Sequence, residues 1–170
     1  LVLFQIVLNC ERKTIKILAL DQSTSNIGFC VFDDKKYEVS GCKEIHKSTE
    51  KKQYEYEWVD RAFNIVINLI STYHPDVVVI EEVYAGKNMA TLKWLATLKG
   101  RIEGYCLYNK IKTDIVYPTS WKSFIKLNGK REGAKLAVKD FFSQRYNISI
   151  KTDDESDAIG IAYYYANKCV

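Results

Sequence analysis

Four consecutive residues, Val77-Val78-Val79-Ile80, constrain the fold of this chain more than any other feature. The run is apolar on both of the faces that a strand presents, and its members are all β-branched. Such a strand needs cover on both sides, as at the centre of an α/β sheet. His74-Pro75 ends the helix before it, and Glu81-Glu82 follows it. Around this anchor the chain predicts further elements. IKILAL at 15–20 is a buried strand that ends at Asp21. Ile27 to Phe32 and Lys36 to Ile45 are the next strands, turned at Asp33-Asp34, so the first three form an antiparallel meander. Val59, Ala62, Phe63, Val66, Leu69, Ile70 and Tyr73 recur at helical spacing and predict a helix over roughly 50–73. A second helix runs from about Asn88 to Tyr108, and a short strand from Asp114 to Tyr117 is closed by Pro118. Helical patterns follow at about 131–145 and 153–167. This order predicts a mixed five-stranded α/β sheet with helices on both faces.

At 170 residues and 47% hydrophobic, the chain suits one domain with a real core, and its composition excludes disorder. No apolar run is long enough to span a membrane. The opening LVLFQIVL lacks a basic start and a cleavage site, so it is not read as a signal peptide. Residues 1–14 are an extension, either an edge strand or leader or added sequence; the domain is expected to span 15–170. The five Cys are scattered, with no CxxC or Cys–His spacing, which argues against zinc and for a reducing cytoplasm.

Charge is unevenly spread. Between Tyr84 and Asp140 stand 12 Lys and Arg against 4 Asp and Glu, a local +8 in a chain of net +4, so the remainder carries −4. A basic middle on an acidic protein is the pattern of a nucleic-acid surface; the plainer alternative is a set of solvated lysine-rich helices.

Acids fall at telling places. Asp21 ends the first strand, before the polar turn QSTSNIG, and Glu81 follows VVVI at the matching end of another. Asp154 and Asp157 in TDDESDAIG are three apart, so on a helix both point the same way from its first turn, toward the sheet. Each has an ordinary explanation: Asp21 capping its turn with Ser23, Glu81 or Glu82 as a strand-end surface acid, Thr152 and Glu155 as a capping box. Together, four converging carboxylates repel unless a cation lies between them, and hard oxygen ligands suit Mg²⁺ or Mn²⁺.

Asp21 after an apolar strand, VIEEVYAGKN at 79–88 and D-x-x-D-A at 154–158 resemble the RuvC-type Holliday-junction resolvases of the RNase H-like superfamily. The resemblance runs from about Ile15 to Ala166. The chain departs from the family at DQSTSNIG, where the bacterial enzymes usually carry an Asp-Pro-Gly-like turn; this points to a phage-borne or otherwise divergent member. The resemblance implies an RNase H-like fold and two Mg²⁺ (or Mn²⁺) ions per active site. Asp21 would bridge them, with Glu81, Asp154 and Asp157 completing the shells. Glu82 and Asp153 are rivals by adjacency, and the D-x-x-D-A register favours Asp154.

The family also implies catalytic lysines near the scissile phosphate, matched here by Lys122 in PTSWK and Lys135 in KREGAKLAV. Tyr84 matches an aromatic that stacks on bases at the junction centre. Lys87 and Asn88 then begin a helix whose positive end suits a phosphate. Lys130 and Arg131 would hold phosphates at a distance. The helix from Asn88 carries Leu92, Trp94, Leu95, Leu98, Ile102, Tyr105 and Cys106, a wider apolar face than one core stripe needs. The family analogy assigns the surplus, with Trp94 and Leu98 as contacts, to a homodimer; the alternative is a central helix buried on two sides. The implied activity is paired nicking of four-way and other branched DNA, leaving 5′-phosphate and 3′-hydroxyl ends, in a bacterial or phage-infected cytoplasm. Competing readings are a catalytically silent nucleic-acid-binding module and, from DQSTS, a sugar-kinase-like or actin-like ATPase fragment.

Overall fold

The computed structural model describes residues 14–45, 57–83, 88–125 and 131–170, apart from the side chains of Arg131 and Glu132. Five strands form one sheet. They are β1 (Lys16–Gln22), β2 (Asn26–Asp33), β3 (Lys36–Glu44), β4 (Val77–Glu81) and β5 (Lys112–Val116), in the order β3-β2-β1-β4-β5. The β3-β2-β1 half is the predicted antiparallel meander, and β1, β4 and β5 run parallel. The β2–β3 turn contains Asp34, whose left-handed backbone (φ 56°) an Asp tolerates better than most residues.

VVVI is covered on both sides, as its composition demands: Val77 is 2% exposed and Val78, Val79 and Ile80 are fully buried. Strand alternation sends Val78 and Ile80 with Leu18 and Leu20 to one face, under α1 (Glu57–Tyr73) and α2 (Met89–Tyr108). Val77 and Val79, with Ile17 and Ala19, face α3 (Pro118–Ile125), α4 (Arg131–Tyr146) and α5 (Asp153–Lys168). Helix α5 presents Ala158, Ile161 and Tyr165 to that core, as its spacing predicts.

Three expectations need correction. The sequence pattern predicts no helix between the strand closed by Pro118 and residue 131, yet α3 stands there: proline suits a helix's first turn, where its missing N–H is no loss, and Pro118 opens it. Strand β5 starts two residues before Asp114, since pairing with β4 begins at Val77↔Lys112. The wide apolar face of α2 is largely spent within this chain. Leu98, Ile102 and Cys106 are fully buried, and Trp94 packs on Trp58 at 6.3 Å between ring centres. Leu98 is therefore a core residue and not a subunit contact. The predicted start of α1 near residue 50 and the extension 1–13 lie outside the described residues.

Candidate active site

The sheet register brings the first two acids together. Leu20 pairs with Ile80 across the parallel β1–β4 junction, so Asp21 and Glu81 leave neighbouring strands at the same level. Counting by twos from Ile17 and Val77, both side chains fall on the α5 face. On that face the start of α5 supplies Asp154 in its first turn and Asp157 just after it, capped by Thr152, whose hydroxyl accepts the Glu155 N–H at 3.1 Å.

Asp21 is only 8% exposed. Burial, and then the charges of Glu81, Asp157 and Asp154, push its carboxyl well above the usual range, with Lys122 opposing. The Glu81 carboxyl is also raised, first by burial, against the lowering effect of a hydrogen bond from the Trp121 indole N–H at 2.8 Å. Burial raises Asp157 too, countered by Lys122, whose Nζ lies 3.6 Å from Asp157 Oδ2, and by Lys135. The four acids thus share one electrostatic neighbourhood. Among the described residues, no three Asp, Glu, His or Cys side chains form a ready-made metal-ligand group.

The rival acids are engaged elsewhere. Glu82 receives the Lys99 ammonium on both oxygens, at 2.7 and 2.8 Å, which lowers its carboxyl. Asp153 is gripped by Lys135 at 2.7 Å and Lys139 at 2.6 Å and is likewise lowered. Lys135 therefore stands at the edge of the acid cluster, tethered to Asp153 while feeling the charges of Asp157 and Asp154. Asn88 caps α2: its Oδ1 accepts the Ala90 and Thr91 N–H groups at 3.0 and 3.2 Å. Tyr84, Lys87 and Lys130 lie outside the described residues, as does the side chain of Arg131, which opens α4.

Two residues in this region were missed as site neighbours. Trp121 is fully buried, so an indole N–H had to find an acceptor, and it found Glu81. Glu155, expected to close a capping box on Thr152, is 8% exposed and instead accepts from the Ser40 hydroxyl at 2.9 Å and the Lys151 N–H at 3.1 Å. It ties the start of α5 to β3.

A family model described as crossover junction endodeoxyribonuclease RuvC matches residues 17–165, nearly all of the chain. The chain belongs to the RuvC family. Among curated relatives, the crossover junction endodeoxyribonuclease RuvC of Christiangramia forsetii is 28% identical over 160 residues, covering 92% of this chain and 80% of that one. Its counterpart from Caldicellulosiruptor saccharolyticus is 24% identical over 153 residues, covering 87% and 90%. In fold, this RuvC-family chain resembles T. thermophilus RuvC in complex with a Holliday junction substrate, with a TM-score of 0.68, 15% identity, and coverage of 90% and 95%. It also resembles Fowlpox virus resolvase in complex with Holliday junction DNA, with a TM-score of 0.60, 17% identity, and coverage of 92% and 99%. The mixed sheet with helices on both faces is therefore the RNase H-like resolvase fold. As a RuvC-family member the chain is a crossover junction endodeoxyribonuclease.

Proposed function

We propose that this chain resolves four-way DNA junctions as a divalent-metal-dependent, structure-selective endonuclease, with Asp21, Glu81, Asp154 and Asp157 as the metal ligands. The register that sets Asp21 beside Glu81, opposite the first turn of α5, carries the reading. The donor set fits the group: four carboxylates from three separate elements, one of them nearly buried, offer the hard oxygens that Mg²⁺ and Mn²⁺ prefer. Such ions, when bound, supply Lewis-acid activation of water and neutralise charge gathering on a phosphodiester.

The protein's own groups have complementary work. Lys122 is half exposed beside Asp157, so its ammonium has the freedom to meet a phosphate oxygen whose charge grows in the transition state. Lys135, held by Asp153, adds positive charge at the rim. The basic stretch from Tyr84 to Asp140 suits the phosphate backbone, with Lys87, Asn88, Lys130 and Arg131 as contacts and Tyr84 stacking at the junction centre. Paired nicks leaving 5′-phosphate and 3′-hydroxyl ends require two sites across one junction, hence a homodimer. The outward side of α2 suits that contact: Ala96, Gly100 and Gly104 share an exposed strip, and the exposed Leu107 and Tyr108 follow it. A bacterial or phage-infected cytoplasm, where such junctions arise, is the corresponding location.

The kinase-like reading of DQSTS is disfavoured, because Ser23 is used within its own turn, accepting the Asn26 N–H at 3.0 Å and donating to the Asn26 carbonyl at 3.1 Å. A fluorescent four-way junction incubated with Mg²⁺ or Mn²⁺, with and without EDTA, beside an ATP-hydrolysis assay, tests all three readings. Symmetric, chelator-sensitive nicks are expected. Junction binding without cleavage would favour the silent module, and ATP turnover the kinase-like fragment.

A further inference from the structure

The acid cluster has a neighbour that titrates nothing and touches no solvent. Trp121 sits one residue before Lys122 in α3, fully buried, with its indole N–H 2.8 Å from Glu81 Oε1. The indole nitrogen is a donor only, so it can neither take a proton from Glu81 nor ligate a metal ion in its place. Its position is fixed from behind. A β-carbon on Gly160 would lie 2.6 Å from Trp121 Cζ3 and 2.7 Å from Cε3, so the ring fills a space that only glycine leaves open. Gly160 is one helical turn beyond Asp157 on α5. The front of the ring is occupied too, with Lys122 Nζ 4.8 Å from its centre. One side chain therefore links β4, α3 and α5 around the site. A buried N–H left without its acceptor is costly, so ring and carboxylate hold each other in one orientation.

We propose that Trp121 is a positioning residue that fixes the Glu81 carboxylate for divalent-metal binding. With Oε1 oriented by the indole, the remaining lone pairs of the carboxylate are presented to the site in one direction. Gly160 belongs to the same device, because it seats the ring. The inference rests on Glu81 as a metal ligand, and its test separates the two ideas. Partners that orient metal ligands typically govern about 10- to 100-fold of metal affinity or activity, which sets the size of the expected effect.

Four variants are compared with the wild type: Trp121→Phe, Gly160→Ala, Glu81→Gln, and a protein in which Trp121 is replaced by its benzothiophene isostere, with sulfur for N–H. Mn²⁺ binding to the DNA-free protein is measured by calorimetry, beside melting temperature and the kcat and KM for junction cleavage. The isostere keeps the ring's shape, so it remains informative where Trp121→Phe folds poorly. It is expected to bind Mn²⁺ about 10- to 100-fold more weakly. Its junction KM should be unchanged, and kcat should recover toward wild type as metal is raised. Gly160→Ala, by pushing the ring, should weaken Mn²⁺ in the same direction. An isostere that binds Mn²⁺ as the wild type does, or that only melts lower, would overturn the role of Trp121 while Glu81→Gln still abolishes cleavage. A Glu81→Gln protein with undiminished Mn²⁺ binding and cleavage would overturn the ligand assignment itself, and the proposal with it.

Discussion

Gly28 stands directly beneath the Asp154 carbonyl: a β-carbon there would lie 2.0 Å from that oxygen. Gly28 is also the ladder partner of Asp21. The missing side chain thus lets the first turn of α5 settle against β2, close to the end of β1, and brings the α5 acids within electrostatic reach of Asp21. Because the obstacle is backbone, it cannot swing aside.

Gly28→Ala should therefore lift the start of α5. Overpacking of this kind costs about 1–3 kcal/mol of stability. The expected outcome is a lower melting temperature together with a cleavage loss that persists well below the melting transition. A stable, active Gly28→Ala protein would mean that the first turn of α5 need not sit this close to the sheet.

Asp21→Asn should abolish cleavage while keeping or improving junction binding, since it removes a proposed metal ligand and also a charge that repels phosphates. Asp154→Asn should do the same. Asp153→Asn should leave cleavage substantially intact, with a modest change from freeing Lys135 and Lys139, because Asp153 is engaged with those two lysines. Cleavage assays with gel-shift binding check all three; an inactive Asp153→Asn beside an active Asp154→Asn would reverse the register.

The metal-free protein should lose stability as pH rises above the ordinary carboxylate range. Asp21, Glu81 and Asp157 are all raised in the folded state, chiefly by burial, so the folded protein holds protons that the unfolded chain has released. Stability then falls with pH between the unfolded and folded values. Asp153 and Glu82, which are lowered, act oppositely and lose their contribution only as the medium becomes acid. Asp21→Asn should accordingly melt higher than wild type at neutral pH without metal, and the gap should close as pH falls toward 3.8, the ordinary value for Asp. Melting curves across pH, with and without Mg²⁺, check the sign.

Glutamate at Gly100 or Gly104 should give folded monomers that no longer cut both strands in concert. Nothing lies within 4 Å of a β-carbon added at either position, so the single chain has no reason to unfold. A charge at Leu98 should instead disrupt folding, because that side chain is fully buried inside one chain. Light scattering and melting temperature together distinguish the two. A monomeric wild type at micromolar concentration would remove α2 as a dimer contact.

The sheet and the four acids were legible because their signals are local. VVVI carries its own requirement for two-sided cover, Asp21 and Glu81 each follow an apolar run, and Asp154 and Asp157 share a helix face by spacing alone. The pairing of β1 with β4, which sets Asp21 beside Glu81, is supplied by the fold, because nothing local in either run names its neighbour. What escaped depended on contacts distant in sequence. Trp121 meets Glu81 across 40 residues, and Glu155 meets Ser40 across 115. No periodicity records such pairs. The apolar width of α2 misled for the same reason: Leu98 looked surplus until α1 and the sheet were folded onto it.

Junction affinity should fall steeply with salt, and two lysine groups should separate by how they fail. Binding to DNA through Lys and Arg releases condensed counterions, so a protein making roughly six to ten phosphate contacts weakens by about 10³ to 10⁵ between about 50 and 200 mM salt. The basic stretch from Tyr84 to Asp140 is expected to supply most of that dependence. Lys130→Ala with Arg131→Ala should flatten the logarithmic slope by about one to two units, yet leave the rate at saturating DNA largely intact. Lys122→Ala should do the reverse. Its ammonium stands 3.6 Å from Asp157, beside the acid cluster, which suits the proposed partner at the reacting phosphate better than the distant backbone. Its loss should scarcely change the slope and should sharply slow cleavage under single-turnover conditions. If both changes merely weaken binding, to similar extents, Lys122 has no role in the chemical step.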